Sequence, residues 1–304
     1  MVGGFDVGLF AGSDATSVAD AVARVREAAA DGFEMLWLPQ TNGLDAFTVL
    51  AIAGREVPDI ALGTAVVPIQ GRHPIPLALQ ALTAADAAGP GRLTVGLGVT
   101  HPSLSEGWFG VPYRGIVDVC EEVIEALAGL LSPERQCEVV GDHVTARVST
   151  PLGGPAPRTV LAALGPRMLE LAGRTTDGTI TWMTGPVALE RDVAPPLRRA
   201  ADRAGRPPPR VIVGIPVCVT DDPASARKRL APMMERVATM PSYARKVAAE
   251  GIDDPVDLVA LGNEDRVGEH FSRFVEAGMN ELCANVVGTA DEQAHTREFL
   301  VSLT

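Results

Sequence analysis

The sequence predicts an α/β fold, a (β/α)8 TIM barrel with insertions, and three observations carry that prediction. The first is a βαβ unit in residues 60–101. Residues 60–67 are apolar and rich in β-branched side chains. Pro74 and Pro76 open a helix, where a missing N–H costs nothing, and Gly89-Pro90-Gly91 closes it. Residues 93–99 are too apolar for a strand wetted on one face. Two strands joined in this way lie parallel. The second observation is repetition: strand-like and helical runs alternate eight times along 304 residues, a length that such a barrel reaches as one domain. The third concerns the rival, an open doubly wound sheet, whose fingerprint G-x-G-x-x-G would fill the first strand–helix turn. That turn reads Ala11-Gly12-Ser13-Asp14, and Gly96-Leu97-Gly98 is followed by His101 where the last glycine would stand.

Each element has a local reason. Residues 5–11 are the first strand, Thr16 or Ser17 caps a helix over 18–30, and Asp31-Gly32 ends it. Residues 33–38 are the second strand, with an exit loop at 39–43, and residues 44–55 the second helix. After the fourth strand a loop is expected over 102–113, then a helix over 118–131. Two short β-like runs flank Gly141-Asp142, so a hairpin is expected inside a first insertion at about 132–157. Residues 159–163, 178–183, 211–219 and 281–287 are strands five to eight. Gly165-Pro166 opens the fifth helix, residues 187–204 form the sixth, and Asp221-Asp222-Pro223 caps the seventh. A second insertion, irregular or partly helical, covers about 240–262. A helix over 262–277, possible cap Asn263, and a closing helix over 290–303 complete the chain.

The formal net charge of −12 argues against nucleic acid or an anionic membrane as partner. No apolar run approaches the ~20 residues of a membrane span. The start of the chain lacks the basic and apolar blocks of a secretory signal, so a cytoplasmic protein acting on a small molecule is expected. Cys120, Cys137, Cys218 and Cys283 show no C-x-x-C or zinc-like spacing. They read as inert thiols, and no metal is expected. There is no G-x-S-x-G elbow and no carboxylate pair of glycosidase type.

Residues 63–101, GTAVVPIQGRHPIPLALQALTAADAAGPGRLTVGLGVTH, resemble the third and fourth βα units of the bacterial-luciferase-like oxidoreductases. LAALGPRMLELAGRTTDGTITWM, from Leu161, resembles that family's fifth and sixth strands. Residues 33–40, and ELCANVV before Gly288, fit its second and eighth strands. Within the superfamily the chain is most similar to the branch that uses the deazaflavin coenzyme F420 rather than FMN. The resemblance implies a cofactor at the C-terminal mouth of the strands, and a homodimer. It implies either hydride transfer between carbon 5 of the deazaflavin and a small organic substrate, or, in the FMN branch, monooxygenation with oxygen.

The same resemblance assigns candidate residues. Ala65 and Val66, with Val67 beside them, match a bulge whose non-prolyl cis peptide backs the flavin ring. Leu164, Gly165, Pro166, Arg167 and Met168 start the fifth helix, whose free N–H groups suit a phosphate. In the family this turn and the end of the sixth strand, here Trp182, Met183 and Thr184, bind the cofactor tail. Val99 and Thr100 end the fourth strand. His101 stands where a sugar-phosphate dehydrogenase of the family has its proton-handling glutamate, and histidine can do acid–base work near neutral pH. Gln40 and Pro39 stand where that dehydrogenase has histidine and aspartate, which speaks against glucose 6-phosphate as substrate. The Gln40 amide can still donate a hydrogen bond. Trp108, Phe109 and Tyr113 line a substrate pocket or pack the loop; His73 and Arg72 read as structural or solvated. The expectation is an F420-dependent oxidoreductase, a reductase in preference to an alcohol oxidase. The alternatives are an FMN-dependent monooxygenase or a catalytically silent flavin- or deazaflavin-binding protein.

Overall fold

A computed structural model describes residues 4–304, side chains at positions 238, 241, 242 and 246 excepted. β1 (Asp6–Phe10), α1 (Val18–Asp31), β2 (Met35–Leu38) and α2 (Ala46–Glu56) lead to β3 (Ala61–Thr64) and its short continuation β4 (Val67–Pro68). Then come α3 (Pro74–Ala88), β5 (Leu93–Gly98), α4 (Pro102–Phe109), α5 (Ile116–Leu131) and the strands β6 (Gln136–Val140) and β7 (Thr145–Ser149). β8 (Arg158–Leu161), α6 (Pro166–Thr175) and β9 (Gly178–Trp182) precede α7 (Pro186–Ala188) and α8 (Ala194–Arg203), which a π-helical turn at Leu189–Val193 joins. β10 (Arg210–Val219), α9 (Pro223–Ala238), α10 (Pro241–Glu250), a 3-10 turn (Pro255–Leu258) and β11 (Ala260–Gly262) follow. α11 (Glu264–Glu276), β12 (Glu281–Val286) and α12 (Ala290–Val301) end the chain.

Eight parallel strands close on themselves in the order β1, β2, β3, β5, β8, β9, β10, β12 and back to β1. This is the predicted barrel, with the helices outside. The caps follow the sequence. Ser17 Oγ accepts from Asp20 N–H at 3.1 Å, and Gly32 ends α1 with φ 103°. The Asn263 side chain accepts from Arg266 N–H at 3.1 Å at the start of α11. Leu36, Leu50, Leu62, Phe271 and Phe274 belong to the core between strands and helices. The barrel interior holds Met35, Trp37, Val160, Ile180, Ile212 and Cys283. Trp37 fills it at close quarters: a Cβ on Gly63 would lie 2.4 Å from the indole, and one on Gly8 2.7 Å. At the floor, Arg210 pairs with Glu281 at 2.5 Å and donates to Thr94 Oγ1 at 3.0 Å, tying the starts of β10, β12 and β5.

One expectation needs correction and another completion. The stretch 102–113 is not all loop: Pro102 opens α4 behind His101, and Gly110, with φ 65°, closes it. The second insertion is partly helical, with α10 and the 3-10 turn, and it also holds the unexpected β11, whose three residues pair with Val217–Val219 at the end of β10. The expected hairpin forms as β6 and β7. Its turn is held by Glu122 of α5, whose carboxylate accepts from Asp142, His143 and Val144 N–H at 2.7–3.0 Å. All four cysteines are free, and burial pushes the Cys120 thiol up to about 12 and the Cys218 thiol to about 11.

Candidate active site at the C-terminal mouth

The feature around which the mouth is built is an extra residue between β3 and β5. Gly63 pairs with Thr94, but Val67 pairs with Leu97, so residues 64–66 face only 95 and 96. Such a bulge leaves backbone groups unpaired and re-aims side chains. Here Thr64 repairs the ladder: Gly96 N–H donates to Thr64 Oγ1 at 2.8 Å, and the hydroxyl donates to Gly96 O at 2.8 Å. The peptide joining Ala65 and Val66, inside the bulge, is cis. Glycines opposite make room for it. A Cβ on Gly96 would lie 2.0 Å from Thr64 O, and one on Gly98 would lie 2.7 Å from Val66 Cγ2 and 3.0 Å from Ala162 Cβ. Val66, Ala65, Ala162 and Phe10 join the interior cluster at its upper end. Phe10 and Trp182, at the ends of β1 and β9, meet with ring centroids 5.1 Å apart. The mouth is thus apolar, with Val66 in its wall.

Polar groups surround this wall. Leu164 and Gly165 lead into α6, which starts at Pro166 without a side-chain cap, and a Cβ on Gly165 would meet nothing within 4 Å. Val99, partly buried against the main core, follows β5. His101 precedes α4, and its imidazole makes no hydrogen bond among the described residues. Its ring lies 5.5 Å from that of Tyr243 in α10, at 70°. Burial holds the imidazole below the ordinary histidine value, and burial pushes the Tyr243 phenol up to about 12. Near pH 7 both are therefore neutral, and each can donate or accept one hydrogen bond. Gln40 Oε1 accepts from Ala46 N–H at 3.1 Å, which leaves its Nε2 as the donor.

Other candidates lie elsewhere. Arg167 pairs with Asp118 of α5, so its charge is already answered. Met168 is buried in the main core. Met183, with φ 53°, is 1% exposed in a second core beneath α9, where its backbone turns the chain away from β9. Trp108 and Phe109 sit on α4, 51% and 39% exposed, with Phe109 against Gly71. His73 caps α3, its Nδ1 accepting from Ile75 N–H at 3.3 Å.

Sequence reasoning passes over Phe10, Thr64, Tyr243 and Gln70. Gln70 is 3% exposed, and its Oε1 accepts from Thr100 N–H at 3.1 Å. The available signal is a lone amide after the apolar run VVPI. Size alone would point away from the mouth. A cavity of about 830 Å³ opens between the start of α9, the 3-10 turn and α11, with Arg227, His270 and Arg273 in its wall. It lies outside the ring of strand ends where barrels of this kind place chemistry, so the mouth is the stronger candidate.

Comparison with known proteins agrees with this architecture. A family model described as luciferase-like monooxygenase matches residues 3–298. A Mycobacterium tuberculosis protein that carries the provisional name coenzyme F420-dependent oxidoreductase is 26% identical over 93% of this chain and 84% of its own. An F420-dependent glucose-6-phosphate dehydrogenase from Beutenbergia cavernae is 28% identical over 77% of this chain and 74% of its own. Among solved structures, an F420-dependent secondary alcohol dehydrogenase in complex with an F420-acetone adduct superposes with a TM-score of 0.83 at 18% identity, covering 99% of this chain and 98% of that one.

Proposed function

The chain belongs to the luciferase-like monooxygenase family, and on that premise we propose that it is a coenzyme F420-dependent oxidoreductase that reduces a small, fairly apolar organic substrate. The observation that carries the reading is the mouth itself: Val66 and Phe10 in one apolar cluster, Trp182 against Phe10, and His101 after β5 with an imidazole that makes no hydrogen bond among the described residues. The residues fit a deazaflavin in two further respects. The N–H groups of Arg167 and Met168, at the uncapped start of α6, are available to an anionic tail. Thr100 Oγ1, on the residue before His101, and Nε2 of Gln70, whose Oε1 accepts from Thr100 N–H, are buried without a partner among the described residues.

When bound, coenzyme F420 supplies a hydride at carbon 5 of its ring. The chain orients and shields. Val66 and Ala65 would back the ring of the bound cofactor. Gly165 lets backbone approach the tail, Gln40 Nε2 donates to a carbonyl, and His101 exchanges a proton with the substrate. In reduction the substrate takes its proton from His101 below that residue's lowered pKa and from water above it, and the neutral ring accepts a proton in the reverse direction. Gln40 and Pro39, in place of a histidine and an aspartate, favour an acceptor other than a sugar phosphate. The expected setting is cytoplasmic, the expected assembly a homodimer, and the net charge of −12 disfavours nucleic acid as a partner.

The test is turnover. Reduced F420 should be oxidised in the presence of one or more members of an enone panel, with no oxygen consumed. Oxygen consumption with reduced FMN and no turnover with F420 would replace this reading by the monooxygenase, and binding without any turnover by the silent binder.

A further inference from the structure

Gln70 lies at a junction. Beyond Pro68 of β4 the chain stays paired through Ile69 N–H to Gly98 O at 3.0 Å, which brings Gln70 opposite Thr100. Its Oε1 accepts from Thr100 N–H at 3.1 Å, across 30 residues. Its Nε2 and the Thr100 Oγ1 are buried, with no hydrogen-bond partner among the described residues. A buried amide half-used in this way costs free energy, so packing alone does not account for it. What it achieves is placement. His101 has no side-chain cap bond, and its carbonyl accepts from Leu104 and Ser105 N–H at 2.9 Å. On the α4 side His101 is therefore fixed by the helix it precedes. On the β5 side it is fixed by the bond from Gln70 to the preceding residue.

We infer that Gln70 is a positioning residue, which holds His101 at the mouth through the Thr100 backbone. This rests on the reading of His101 as the proton-handling side chain. The choice of an amide also matters. Glutamate would accept the same N–H, but its charge near His101 would favour the imidazolium. Glutamine accepts the bond and adds no charge of its own near the ring, which faces Tyr243.

Three readouts on Gln70→Leu test the inference: exchange of the Thr100 amide, the His101 C2–H titration by NMR (assigned by its loss in His101→Ala), and kcat with reduced F420. The expected result is at least tenfold faster exchange at Thr100, a His101 midpoint moved up toward the ordinary histidine value, and kcat at least tenfold lower on the low-pH plateau, where His101 is protonated in both proteins. Gln70→Glu should restore the slow exchange and raise the His101 midpoint further. An unchanged Thr100 exchange rate and an unchanged His101 midpoint in folded Gln70→Leu would overturn the inference, whatever its melting temperature. If Gln70→Leu does not fold, Gln70→Asn, one methylene too short for the same bond, is read by the same criteria. If the wild-type protein shows no turnover with F420, the two measurements on the apo-protein still decide the role of Gln70, and only the oxidoreductase reading falls.

Discussion

On the proposed reading of His101 as the proton-handling side chain, its protonation should set the direction that each pH favours. Burial lowers its pKa, so the protonated form is present only below the ordinary histidine range. Reduction by reduced F420 should therefore slow as pH rises through a midpoint below 6.5, while the reverse oxidation should quicken. His101→Ala should remove that limb and lower kcat by about 100-fold, the lower range for general acid–base catalysis; a pH–rate profile in both directions reads this. His270 makes a prediction of a different kind, about stability. Burial, Arg273 and Arg266 push it down to about 4 from 6.5, and its Nε2 is buried with no partner among the described residues. The unfolded chain binds this proton more readily. The contribution is thus fully present above pH 6.5 and is lost as pH falls toward about 4. The loss is of order 3 kcal/mol across that window. Urea unfolding of His270→Phe should weaken less between pH 6.5 and 4.5 than that of the wild type.

Among the elements, the bulge between β3 and β5 is the one on which the mouth depends, and its glycines are its weak points. Gly98→Ala should fold, because its Cβ meets the Val66 methyl at 2.7 Å, a side chain that can shift, and the shift should weaken F420 binding at least tenfold. Gly96→Ala meets backbone, Thr64 O, at 2.0 Å, and should destabilise the barrel by more than about 3 kcal/mol. Calorimetry and a cofactor titration on the two variants separate these outcomes. The same stretch shows what is legible in a sequence. Alternation, caps and apolar runs announce the strands and helices of the ring because each is decided within about fifteen residues. β11 is not legible, since its three residues gain their strand character only by pairing with β10. α4 hides because a proline and scattered polar residues read equally as loop. At the site, residues tied to a local turn, such as Gly165 and His101, can be singled out. Gln70 and Tyr243 cannot, because their partners are 30 residues and a whole insertion away.

At the scale of the whole molecule, the two ends of the barrel do different jobs. The floor is held by Arg210 and Glu281, whose side chains are 22% and 4% exposed. Burial raises the Glu281 pKa, and Arg210 opposes that rise. Arg210→Met leaves the carboxyl buried without its partner, which should cost about 3 kcal/mol, with part recovered in the double variant with Glu281→Gln. F420 affinity should be unchanged within twofold, because the pair lies at the opposite end from the mouth. The central claim, that the closed mouth around Val66 seats a deazaflavin, is tested most directly by equilibrium titration of the wild-type chain with oxidised F420 and, separately, FMN. One F420 per chain should bind saturably, with FMN at least tenfold weaker. No saturable F420 binding, or tighter binding of FMN, would contradict it.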